Sequence, residues 1–77
     1  MKIIYIKWFD SCYNNTAQET EAIADYIILE NCGFLVSENE KSVKISMEHS
    51  IKYGDWRHTL SIPKVNILKR KELKVKV

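Results

Sequence analysis

Between Gly33 and His49 the chain passes from an apolar run, Phe34-Leu35-Val36, through a polar turn, Glu38-Asn39-Glu40-Lys41, into strict alternation. Val43, Ile45 and Met47 there interleave with Lys44, Ser46 and Glu48. Period-two alternation bounded by turn residues predicts a β-hairpin. Residues 2 to 9 predict a strand before it, with Ile4, Ile6 and Trp8 on one face and Ile3, Tyr5, Lys7 and Phe9 on the other. Both faces are mostly apolar, so this strand is expected to be central or covered on both sides. Trp56 to Ile62 predict another strand, with Trp56, His58, Leu60 and Ile62 on one face and Arg57, Thr59 and Ser61 on the other. Pro63 lacks an amide donor and should end or bend it. Val65 and Ile67 begin a last strand, and Leu73, Val75 and Val77 alternate with charged residues in the tail.

One stretch carries a helical period instead. Thr16 and Glu19 match a capping box, in which the Thr hydroxyl and the Glu carboxylate satisfy free amides at a helix start. A helix from Ala17 to about Tyr26 follows, with Ala22, Ile23, Tyr26 and Ile27 as its apolar stripe. Ile27, Ile28 and Leu29 can continue the helix or begin a strand. Gly33 stands where the chain must reset into the hairpin. The expected architecture is mainly β (α+β). It is a single domain, residues 1–77, forming a small five-stranded barrel or curved antiparallel sheet with one short helix after the first strand.

Length makes such a domain marginal. A chain of 77 residues buries little more than ~60% of its unfolded surface. Two cysteines, Cys12 and Cys32, form no dense framework. That usage suits a reducing cytoplasm and two free thiols, at least one of them buried, although a Cys12–Cys32 bridge stays open. Self-association is the expected support. The N-terminal apolar run is interrupted by Lys7 and ended by Asp10, too short for a membrane span. Charge is dipolar along the chain: residues 11 to 40 hold six acids and no Lys or Arg, and residues 64 to 77 hold six bases against Glu72 alone. Such a tail can meet nucleic acid or another polyanion. It can equally meet the acidic segment of its own or a neighbouring subunit, or guard a solvated edge strand.

Trp8 with Asp10, Gly33 to Val36, Val43 to Met47, and Ile62-Pro63-Lys64 to Ile67 occur together here. In this combination the chain resembles a group of small proteins of phages and prophages in low-GC Gram-positive bacteria. The resemblance covers most of the chain except the helix and the tail, and it implies an origin but no catalytic residue. The strand order also resembles SH3-like and Sm-like barrels, in which a short turn precedes the last of five bent strands; Ile62-Pro63-Lys64-Val65 would be that turn. Trp56-Arg57-His58 is a loose echo of the Tyr-Lys-His element of the bacterial Sm-like RNA chaperone, departing from it at two of three residues. What carries over is a barrel shape and a ring-forming habit, and not uridine binding.

The residues point to binding rather than catalysis. His49, His58, Cys12 and Cys32 lack the close ligand pairs of a structural zinc site. Nothing in the sequence marks a stabilised Cys12 thiolate, and a turn cysteine is the plainer reading. Glu21 and Asp25 share a helical face but read as solvated, with Glu19 off that face. No glycine-rich phosphate loop is present, Gly33 and Gly54 being the only glycines. No enzyme, metal or cofactor is expected. Tyr53, Trp56, Arg57 and His58 are the candidate ligand-binding residues: the aromatics can stack on a base and Arg57 can fork onto a phosphate. The same residues can plug the open end of a barrel. Lys64, Lys69, Arg70 and Lys71 are the candidate polyanion contacts. Together with the resemblance, this leads to the expectation of a cytoplasmic, non-enzymatic phage-type accessory protein, a homo-oligomer. It would act in counter-defence by sequestering a nucleotide signal or blocking a host defence protein. The alternatives are an Sm-like nucleic-acid-binding protein and a structural protein-interaction module.

Overall fold

The computed structural model describes residues 1–10 and 27–75. They form five strands: β1 (Ile3–Asp10), β2 (Ile27–Glu38), β3 (Ser42–His49), β4 (Trp56–Pro63) and β5 (Ile67–Leu73). All pair antiparallel in one open sheet of order β4-β3-β2-β1-β5. The expected helix from Ala17 to Tyr26 lies outside the described residues. Within them the helical element is a single 3₁₀ turn, Lys64–Asn66.

β1 is central, as its two apolar faces require, with β2 on one side and β5 on the other. Its even-numbered residues Ile4, Ile6 and Trp8 are buried, and they join Val43, Ile45 and Ile62 in the core. Full burial of side chains of this size stabilises by about 1.5–3 kcal/mol each. The Trp8 indole keeps its polar handle satisfied by donating Nε1–H to Asn31 Oδ1 at 2.8 Å. The ambiguous Ile27-Ile28-Leu29 segment is strand: Leu29 registers against Trp8, Ile28 against Phe9 and Ile27 against Asp10. The pairing surface that β1 offers decides what local propensity left open.

Gly33 is fixed by a close approach. A Cβ there would come 2.7 Å from the Ser46 carbonyl oxygen, a contact with backbone that no side-chain rotation relieves. The following β2–β3 register shifts between Leu35 and Ser37, a bulge that bends the strand. The hairpin turn closes on Asn39, whose Oδ1 accepts from the amides of Lys41 (2.8 Å) and Ser42 (2.9 Å). At the same end of the sheet Pro63 stops β4 with φ −62°, and the Lys64 amide donates to the Lys41 carbonyl of the hairpin turn at 2.8 Å.

The expected alternation fails in two places. In β3, Val43 and Ile45 are buried but Met47 is exposed, and Ser46 is buried instead. In β4, Leu60 and Ile62 face the core while His58 adopts φ 54° and is exposed. A left-handed residue within a strand breaks the period-two rule that placed His58 beside Leu60. Val65 lies in the 3₁₀ turn and is exposed, so the last strand starts at Ile67. Cys32 is a free, exposed thiol, and Cys12 lies outside the described residues. No helix among the described residues is long and apolar enough to cross a membrane.

Candidate functional site

The turn between β3 and β4 is built from its own hydrogen bonds. Ser50 N–H donates to the Asp55 carbonyl at 2.9 Å and Gly54 N–H to the Ser50 carbonyl at 2.7 Å. Ser50 Oγ accepts from the Tyr53 amide at 3.2 Å. Gly54 takes φ 71°, the left-handed geometry that glycine adopts without strain. This compact turn displays Ile51, 93% exposed, and Tyr53, 69% exposed. Lys52 Nζ stands 5.2 Å from the Tyr53 ring centroid.

Trp56 follows at the start of β4. It pairs with His49 across the ladder, and the two ring centroids lie 4.3 Å apart. Phe34, from β2, lies 5.8 Å from the Trp56 ring. Trp56 is therefore half-buried and held by two neighbours. Arg57 is exposed and its Nε reaches Asp55 at 3.5 Å. His58 Nε2 stands 3.8 Å from a Glu48 carboxylate oxygen.

Beneath these side chains sits Ser46. Its hydroxyl lies 2.7 Å from the Glu48 carbonyl oxygen and within hydrogen-bond reach of the Arg57 carbonyl, and donates its one proton to either. Its oxygen also accepts from the Glu48 amide at 3.2 Å. These bonds span the stretch where the left-handed φ of His58 interrupts the β3–β4 ladder, which pairs Ser46 with Thr59 and Glu48 with Arg57. The buried hydroxyl replaces part of the backbone pairing and fixes the corner.

The structure thus brings Tyr53, Trp56, Arg57 and His58 to one corner. Sequence reasoning missed the residues that hold them there: Phe34, Ser46 and His49. Alternation with Val43, Ile45 and Met47 puts Ser46 on the solvent side of its strand, and a buried serine leaves no mark that period-two counting detects.

The four basic candidates divide. Lys64 Nζ lies 3.0 Å from Glu38, and Arg70 forks onto the same carboxylate with two bonds of 2.9 Å. Hydrogen bonds from Arg70 and then Lys64 hold the Glu38 carboxyl down at about 2. Lys69 and Lys71 belong elsewhere, registering against Lys7 and Tyr5 of β1. Tyr5 donates its hydroxyl to Glu30, and this bond raises the phenol pKa.

Among the described residues no group of three or more His, Cys, Asp or Glu is arranged to hold a metal ion. An open groove of about 500 Å³ lies between residues 1–3 and 72–75, and none of the eight candidate residues lines it. Compared with protein-family models, curated proteins and solved structures, the chain matches none of them.

Proposed function

We propose that this chain is a non-enzymatic accessory protein that docks on another protein through the β3–β4 corner. The observation that carries the reading is the packing of Trp56 against His49 and Phe34. Stacking a nucleobase on that ring competes with contacts it already makes. A held aromatic flanked by exposed Tyr53, Ile51 and Arg57 is the composition of a protein-contact hot spot, where Trp, Tyr and Arg dominate. The partner surface would offer an apolar recess for Ile51 and Tyr53 and an acidic rim for Lys52, Arg57 and His58.

The setting comes from the resemblance to small phage proteins: counter-defence in a host cytoplasm, with a host defence protein as the target. The strand order β4-β3-β2-β1-β5, with a 3₁₀ turn just before β5, supports an SH3-like form of the sheet. Among the described residues the outer edges of β4 and β5 have no strand beside them, which supports self-association. Light scattering is expected to give a mass above the 9.1 kDa of one chain; a monomer at micromolar concentration contradicts that part.

The test uses a Tyr53→Ala, Arg57→Ala double variant. Host proteins cross-linked to the wild-type chain are identified, and the best candidate is purified for a binary measurement. The variant should keep its circular dichroism spectrum and lose at least about tenfold in affinity, roughly 1.4 kcal/mol. Undiminished binding moves the contact elsewhere. A small nucleotide released from the purified wild-type protein on denaturation, in place of a protein partner, supports nucleotide sequestration instead.

A further inference from the structure

The outward face of β5-β1-β2 carries a cluster that the corner does not use. Lys69 stands opposite Lys7 and Lys71 opposite Tyr5, while Tyr5 stands opposite Cys32 and Lys7 opposite Glu30 on the other side. Arg70 and Glu72 register instead with the buried Ile6 and Ile4. The outward charges of β5 within this register are therefore all positive. Among the described residues none of Lys7, Lys69 and Lys71 makes an ion pair. The carboxylate on this face, Glu30, accepts the Tyr5 hydroxyl.

Lysines on an edge strand are ordinarily explained as guards against edge-to-edge pairing. Lys69 and Lys71 fit that explanation and Lys7 does not. β1 is the central partner of two strands and has no edge to guard. Its lysine faces another lysine directly across the ladder, an arrangement that costs stability. Three unpaired ammonium groups around a partly exposed tyrosine on one sheet face call for an anion that joins them.

We infer that the face formed by Lys7, Lys69, Lys71 and Tyr5 binds the backbone of single-stranded nucleic acid. The lysines neutralise successive phosphates, and Tyr5 offers its ring to an unstacked base. Lysine supplies point charges without a fork, so the binding is insensitive to sequence. A sheet face offers no helix or ribbon to enter a duplex groove, which favours the single strand. The surface belongs to different strands from the β3–β4 corner, so either reading can fail alone.

The full chain is titrated against a fluorescent oligodeoxythymidylate by anisotropy at several salt concentrations. With three lysines engaged, log affinity should fall against log salt with a slope of about −2. A Lys7→Gln, Lys69→Gln, Lys71→Gln variant should lose at least about tenfold at low salt and most of that slope. Tyr5→Leu should lose about fivefold or more, the lower end of one base stack. A Lys2→Gln, Lys41→Gln, Lys44→Gln variant removes the same charge elsewhere and should bind as wild type does. Three results overturn the inference: no binding by the wild type at low salt, equal loss in both triple variants, or tighter binding to a duplex of the same length. Thermal melts of every variant establish that the fold is intact.

Discussion

Lys69 and Arg70 are adjacent cations on one strand, and they have opposite functions. Arg70 registers with the buried Ile6 and forks onto Glu38, where Lys64 also arrives. Its charge is spent on tying the end of β2 to β5. Lys69 registers with Lys7, and among the described residues neither ammonium makes an ion pair. A strand's period of two separates them completely: one residue along the chain is the other side of the sheet. What a charge does here follows from its register, and net charge carries no information about it.

The sharpest way to break the comparison is on β1 itself, where Ile6 and Lys7 repeat the contrast. Ile6 is fully buried among the core residues. Ile6→Ala should destabilise by about 2–5 kcal/mol, because it removes buried methyl groups and leaves a cavity. Urea denaturation monitored by Trp fluorescence measures this. A loss below about 1 kcal/mol would mean that the inward face is not the one that matters for stability.

His58 breaks the period-two rule, and its substitution is the next largest expected effect. A non-glycine residue at φ 54° sits in a region that histidine tolerates better than most and β-branched residues do not. His58→Val should cost about 1–3 kcal/mol, and His58→Gly should be neutral or slightly stabilising. If valine and glycine behave alike, the left-handed residue is not holding the corner in place.

This residue also marks the limit of what the sequence discloses. The hairpin, the central β1, the stop at Pro63 and the five-strand count are legible because they follow from alternation and turn chemistry. The buried Ser46 and exposed Met47 are not, since a hydroxyl replacing a ladder bond looks like an ordinary outward serine. Nor does the run Lys69-Arg70-Lys71 declare that it will split. Which of its residues faces outward depends on the bulge that shifts the β1–β5 register between Lys7 and Trp8, which nothing local encodes. The grouping of Tyr53 through His58 was legible, and the neighbours that position it came from β2 and β3.

Acid separates the two sides in a different way. Glu38 has its carboxyl lowered from 4.5 to about 2 by Arg70 first and Lys64 second. A depressed folded-state value contributes stability that is fully present above the unfolded value and lost as pH falls through the folded one. The β2–β5 tie should therefore weaken between pH 4.5 and about 2. Melts across that window should show a smaller acid-induced drop for Glu38→Gln than for wild type, and Glu38→Gln should already melt lower at neutral pH. An identical acid response in wild type and Glu38→Gln would show that the triad is a solvated contact.

The smallest effect has the more telling sign. Lys7→Gln removes one of two like charges placed directly opposite each other. Like-charge pairs across a ladder are destabilising, on the scale of about 0.2–1 kcal/mol for cross-strand pairs, so this substitution should stabilise the free protein by about a few tenths of a kcal/mol. The gain should shrink as salt rises, because exposed charges are screened over about 10 Å at 0.1 M ionic strength. Ile6→Ala, one residue away, should show no such salt dependence in its loss. Urea midpoints at low and high salt for the two variants decide it. A Lys7→Gln variant less stable than wild type would mean that Lys7 contributes through its stem or through Glu30 opposite it. The outward face would then be built for stability like the inward one. A stabilised variant leaves Lys7 as a residue the fold does better without, and its place on this face then falls to something the face binds.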